Sequence, residues 1–390
     1  MPDNELPPAR PLSLAVYNFS SAWFLIPQGT SIIATILHQL HYQFGALPTL
    51  AKIVWIYAIV LLGLSLGIYV TRICLFPRHV LREIRQNVVE ASCLSSVPIA
   101  FTSIIQMIAL QYTGGAEIAA YVLWWISTAL SRVAVIAVPY LQLKMQPSGI
   151  EHIPPSFLLP VISILTSAAA GGIICDNSSF SVRLKVPAVI VSYMELGTGI
   201  ALAICIDACI VYHHFDQTYP QYNKAYQDMV LCGPFGQASA ALQVLGMAVQ
   251  STFGEYNRGT LITASAASPI AAVSEFAGLL AWGFGTFWWL FAILSITYTL
   301  YVQSGGWRNV SFSLSAWSLI FPWGVYTNGA VQLGTLMDSP AFYVWSTVLL
   351  LMLVIMWIVV HIFTLKGIFT GKILGLERGW KVPKSEHQTV

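Results

Sequence analysis

Five groups of uncharged polar side chains interrupt otherwise apolar stretches: Thr30 and Ser31; Thr102, Ser103 and Gln106; Thr166 and Ser167; Gln237, Ser239 and Gln243; Thr327 and Asn328. Hydroxyls and amides make hydrogen bonds without carrying a fixed charge. In an apolar surround such groups either join helices or line a wet path. Each group shares its stretch with helix breakers: Pro27 and Gly29, Pro98, Pro160 with Gly171 and Gly172, Gly233 with Pro234, and Pro322 with Gly324. A proline within a helix frees a carbonyl that lipid cannot satisfy. Broken helices therefore belong where they line a cavity or pack inside protein. Their half-helix N-termini present partial positive charge, which a negative solute can use without being trapped by a full cation. No Lys or Arg lies in any of these five stretches.

Fixed charges fall in the other apolar stretches, as Arg132, Glu195, Asp207 and Glu275. Two readings stay open. They form structural pairs, such as Arg132 with an acid on a neighbouring helix, or Glu195 or Glu275 exchanges a proton and couples it to transport. Among eight histidines only His38 with His41 and His213 with His214 are close, too few for a di-metal centre, and no metal or other cofactor is expected. The six cysteines show no metal spacing and no disulfide framework, and read as small buried residues.

The elements that carry these residues follow from composition. The 390 residues are 56% hydrophobic and 9% charged, against about 25% charged in soluble domains. The excess apolar surface needs a lipid bilayer as solvent. A net charge of +2 gives no basis for nucleic-acid binding. No cleavable leader is expected at the start. Ten stretches approach the roughly 20 apolar residues a bilayer requires, about 21–40, 52–74, 91–112, 117–142, 156–175, 187–212, 229–250, 268–300, 311–335 and 341–365. The polar segments 1–20 and 366–390 read as mobile tails around one domain, 21–365.

With the N-terminus cytoplasmic, Arg10, Arg72, Arg78, Arg82, Arg85, Lys144, Lys224, Arg308, Lys366, Lys372, Arg378, Lys381 and Lys384 all fall inside. Only Lys52, Arg183, Lys185 and Arg258 fall outside. This bias puts both termini in the cytoplasm. Asn177-Ser178-Ser179 then lies in an external loop over 176–186, as a glycosylation acceptor should, while Asn309-Val310-Ser311 matches by chance. Arg72, Arg78, Arg82 and Arg85 read as a membrane-surface anchor. Asp338-Ser339-Pro340 reads as cap and first turn of the last helix. The odd stretches hold the breakers internally. The even ones place Pro139, Pro187, Pro269 and Pro340 at their ends, and the second, 52–74, has none. The odd helices are therefore an inner ring and the even ones an outer ring. The fold class is all-α integral membrane, ten transmembrane helices as five helical hairpins around a central pore.

Four segments carry a family resemblance: Trp23 to Ile33 (WFLIPQGTSII), Tyr121 to Trp125 (YVLWW), Gly233 to Gln237 (GPFGQ) and Trp317 to Gly324 (WSLIFPWG). In order and spacing they resemble the tellurite-resistance/dicarboxylate transporter family, which includes slow anion channels. YVLWW and GPFGQ are most like fungal sulfite efflux pumps, and Met337 to Phe342 is more like fungal malate permeases. The resemblance implies a plasma-membrane transporter of small anions, sulfite or bisulfite first and C4-dicarboxylates such as malate second, or a passive anion channel of the same fold. It also implies a homotrimer with one pore per subunit, and no enzymatic activity. Phe321, before Pro322, matches the phenylalanine that occludes the pore in the resembling channels. Gly29, Thr30, Pro98, Thr102, Gln106, Gly171, Gly233, Pro234, Gln237, Pro322, Gly324 and Asn328 are the expected lining of the anion path. An uncharged lining of this kind suits a small anion and not a bulky polyanion.

Overall fold

The computed structural model describes residues 8, 10–145, 153–216, 225–303, 312–376 and 379–380. Its helices are α1 (Pro11–Tyr17), α2 (Leu25–Gln39), α3 (Leu47–Leu75), α4 (Pro77–Gln86), α5 (Val88–Cys93), α6 (Ser96–Gln111), α7 (Gly115–Met145), α8 (Leu159–Asn177), α9 (Val182–Asp216), α10 (Cys232–Tyr256), α11 (Ala264–Tyr298), α12 (Ile320–Met337) and α13 (Pro340–Thr370). Among the described residues, eight helical segments are long and apolar enough to cross a membrane, or up to nine if the pair Pro11–Tyr17 and Ser21–Gln39, bent by 77°, counts as one. The expected stretch at 311–335 does not meet that measure by itself. Its helix α12 carries Thr327, Asn328 and Gln332 among three glycines, Gly324, Gly329 and Gly334.

Burial sorts the helices into two layers. The apolar windows of Pro155–Asn177 and Tyr226–Tyr256 are 100% buried, whereas those of Leu47–Leu75 and Ala264–Tyr301 are 28% and 22% buried. Helices α2, α6, α8, α10 and α12 pack each against the next, and α12 returns to α2, so five helices close a ring. Helices α3, α7, α9, α11 and α13 pack outside it, each against the ring helix before it in the chain and against the one after. Large apolar residues such as Ile136, Met194, Val273 and Ile355 are exposed on this outer layer, which needs lipid around it.

Indole N–H groups pin the layers together. Trp55 of α3 donates to the Ile104 carbonyl of α6, Trp124 of α7 to Ser167 of α8, Trp282 of α11 to Tyr326 of α12, and Trp357 of α13 to the Thr30 hydroxyl of α2. Each bond reaches the next ring helix, not the hairpin partner, and so fixes the pitch of the outer layer. A buried indole needs such a partner.

The ring prolines sit elsewhere than a mid-span kink. Pro27, Pro98, Pro160, Pro234 and Pro322 all fall in the first turn of α2, α6, α8, α10 and α12. Four of these helices follow a 3₁₀ turn, at Ser21–Phe24, Pro155–Leu158, Ala225–Leu231 and Leu314–Leu319, and α6 follows the short helix α5. N–H groups of a first turn have no intrahelical acceptor, so proline there removes nothing. The chain breaks just below the proline. Conversely, Pro139, Pro187 and Pro269 lie inside α7, α9 and α11, because those helices extend past the apolar stretches.

Other expectations are corrected at the chain ends. Arg72 is buried and binds Glu90 at 2.6 Å, while its Nε donates to the Tyr17 carbonyl, so it is part of an internal network and not a surface anchor. Glu90 also accepts from Tyr69 and from the backbone and hydroxyl of Ser21. The segments read as mobile are in part packed. Phe19, Leu374 and Leu376 are buried, and Asn18 donates to the Leu374 carbonyl. These contacts bring residues near both chain ends to the same end of the bundle as α4. Asp338 is the left-handed C-cap of α12 (φ 45°) and accepts from Tyr343, while Pro340 opens α13 as expected. Cys93, Cys175 and Cys232 are buried, but Cys74 and Cys205 are exposed on the outer layer. Asn177 ends α8 instead of lying in a loop. Asn309-Val310-Ser311 lies outside the described residues.

Candidate functional site

A cavity of about 350 Å³ lies at the C-terminal ends of α2, α6 and α8, beside the last turns of α12 and the middle of α10. It takes lining from every one of them: His38 and Gln39 of α2, Leu110 of α6, Asp176 and Asn177 of α8, Val244 and Met247 of α10, and Val331, Gln332 and Thr335 of α12. Only a space on the ring axis touches all five.

Phe321 lies further along α12, about 15 Å of helix from Val331. It is buried, with 1% of its surface exposed. At this level the ring is narrow. A Cβ added at Gly233 of α10 would lie 2.7 Å from Ile162 of α8 and 3.4 Å from Pro322 of α12, two helices that are not neighbours around the ring. Any larger residue at 233 would fill that space, and this explains why glycine stands there.

The other expected lining residues divide by what they touch. Gly29 faces Ile320 of α12 and Gly324 faces Ile32 of α2, so these two glycines let α2 and α12 close the ring. Thr30 accepts from Trp357 and Thr102 bonds Ser127 of α7, so both hydroxyls serve the outer layer. Thr102 also donates to the Pro98 carbonyl. A Cβ at Gly171 would meet Ser192 of α9 and Trp124 of α7, again the outer layer. Pro234 and Pro322 open α10 and α12. Gln106, Gln237 and Asn328 are buried on ring helices. Among the described residues, the side-chain oxygens of Gln237 and Asn328 and both polar atoms of Gln28 have no hydrogen-bond partner. Buried polar groups left open require water or a ligand. Of these, the Gln28 N–H is a free donor that can bond an anion, while the Gln237 and Asn328 oxygens can only accept, as from water.

Of the intramembrane charges, Arg132 Nε lies 3.4 Å from Glu195 Oε1, which joins α7 to α9. Glu275 of α11 lies against Gly246 of α10. Neither acid lines the axial cavity.

Several contributors went unseen in the sequence. Ser127, Thr128 and Ser131 of α7 bond Thr102, Ser167 and Ser163 of the ring. Their spacing of three to four residues along a helix face was a usable signal. Gly236 allows the closest helix approach in the ring, since a Cβ there would lie 2.6 Å from the Tyr326 backbone nitrogen. Asp176 lies just past the apolar stretch 156–175 and beside Asn177, where its residue type alone marks nothing beyond a loop.

A profile of the voltage-dependent anion channel family matches residues 18–365, the whole ring and nearly all of its outer layer. The chain belongs to that family. A sulfite efflux pump of Arthroderma benhamiae is 27% identical over 357 residues, covering 90% of this chain and 91% of the relative. A sulfite efflux pump of Trichophyton rubrum is equally similar, 27% over the same length. A malic acid transport protein of Schizosaccharomyces pombe is more distant, 21% identical over 90% of this chain and 78% of its own. The family carries anions through membranes, and these relatives are named as transporters.

Proposed function

We propose that this chain exports sulfite or bisulfite along the axis of the five-helix ring, with C4-dicarboxylates such as malate as the second substrate class. The observation that carries the reading is the axial cavity lined by all five ring helices of an anion channel family member. The similarity to sulfite efflux pumps over nine-tenths of both chains favours sulfite over malate. Ten crossings as five hairpins, in a plasma membrane with both termini cytoplasmic, complete the proposal, the two bent or polar helices α2 and α12 crossing inside the outer layer. The basic residues near α4 then mark the inner end and the cavity opens outward.

In this reading Phe321 is the gate: an aromatic ring at the narrow level closes the path by excluding water. The unpaired amide N–H of Gln28 replaces part of the anion's hydration as it passes. The assembly is a homotrimer with one path per subunit, to be tested by native mass measurement, where a monomer alone would count against it. Proton coupling through Glu195 or Glu275 would act from between the layers, and flux with and without a pH gradient tests it. The substrate test is expression in a sulfite-sensitive host. Restored growth on sulfite is expected. No rescue, together with measurable malate flux, would replace sulfite with malate.

A further inference from the structure

The outer cavity presents a negative group to a path that carries anions. His38 and Asp176 are its ionisable lining residues. Asp176 is exposed at the C-terminal end of α8. Backbone carbonyls at a helix C-terminus add partial negative charge of their own, and α2, α6 and α8 end at this cavity. Lys185 of α9 is the nearby cation, but its ammonium is held on the Ser178 carbonyl at 2.6 Å, and among the described residues no ion pair joins it to Asp176. Glu117 of α7, close by, is occupied by the backbone and hydroxyl of Ser179. The mouth thus has a carboxylate in its lining that the Lys185 charge reaches but does not pair with directly.

We propose that Asp176 makes the outer vestibule a valence filter, which dilutes doubly charged anions at the external mouth relative to singly charged ones and so disfavours their re-entry. The proposal rests on the axial path described above. A unit charge about 4 Å away in water repels an anion by about 1 kcal/mol, about a fivefold reduction in local concentration. For a dianion the energy doubles and the factor is squared, to about 25-fold. The equilibrium across the membrane is unchanged. What changes is the apparent KM for anion presented outside, not the maximal rate. Export is spared, because it draws on the inner end. Bisulfite and singly ionised malate would be admitted in preference to sulfite and malate dianion.

The test uses intact cells expressing the full chain, with non-expressing cells as background, so that only the external mouth meets the probe. Labelled nitrate is the monovalent substrate, and malate, divalent at neutral pH, is read as its external competitor. For Asp176→Asn the nitrate KM is expected to fall by up to about fivefold and the malate inhibition constant by up to about 25-fold at low ionic strength, the Lys185 charge offsetting part of the effect. Both should converge on wild type at high ionic strength. Asp176→Glu, which keeps the charge, should behave as wild type and reports on folding. Equal shifts for both anions, no shift, or a glutamate variant that behaves like asparagine would overturn the filter while leaving the transport reading intact. Absence of uptake of nitrate, sulfite and malate alike in the wild type would overturn both.

Discussion

Phe321 and the Arg72–Glu90 pair show how differently two buried groups act. Phe321 has 1% of its surface exposed and adjoins Pro322, whose ring lies near Gly233. As a gate, Phe321→Ala should assemble normally and raise basal anion flux or loosen selectivity. As plain packing it should cost about 3–5 kcal/mol through the cavity left behind, with poor expression and no gain in flux. Measuring expression and flux together separates the two. The Arg72 guanidinium and Glu90 carboxylate, 2.6 Å apart and both nearly inaccessible, have no such alternative role. Arg72→Ala leaves a buried carboxylate without its cation, and should cost about 3–5 kcal/mol of stability. Removing both charges with Arg72→Met and Glu90→Leu should recover much of that loss, read as detergent thermal stability. Equal damage from the single and the double change would contradict this account.

At the scale of helices, the layer assignment was legible because breakers and mid-span polar residues marked α2, α6, α8, α10 and α12 as a set. The position of the break was not. Proline alone does not say whether the chain bends within a helix or starts a new one, and the 3₁₀ turns beneath Pro27 and Pro322 have no sequence signature of their own. Which face each threonine presents was equally hidden. Thr30 and Thr102 turn outward because Trp357 and Ser127 wait there, and those partners lie far along the chain. Arg72 read as an anchor because its acid, Glu90, falls just before the next apolar stretch. Close approach of α10 to α12 depends on Gly236. Gly236→Ala would place a methyl group 2.6 Å from the Tyr326 backbone nitrogen, which no rotamer change relieves. Overpacking of this kind should cost about 1–3 kcal/mol and lower thermal stability in detergent. Unchanged stability would mean that the ring helices are not held as closely as described.

For the whole molecule the test of orientation comes first, since the gate, the vestibule and export all depend on it. A cysteine at Ser178, on the α8–α9 connection, should label from outside in intact cells. Labelling only after permeabilisation would invert the molecule and move the axial cavity to the cytoplasm. The central claim is that the axis of this five-helix ring carries small anions, sulfite before malate. The measurement that reaches it most directly is uptake into proteoliposomes containing the purified full-length chain, compared across sulfite, malate, nitrate and chloride. The account predicts flux well above protein-free vesicles, largest for sulfite, and raised by Phe321→Ala. Flux no greater than in protein-free vesicles for every anion, from protein that is folded and correctly oriented, would contradict it.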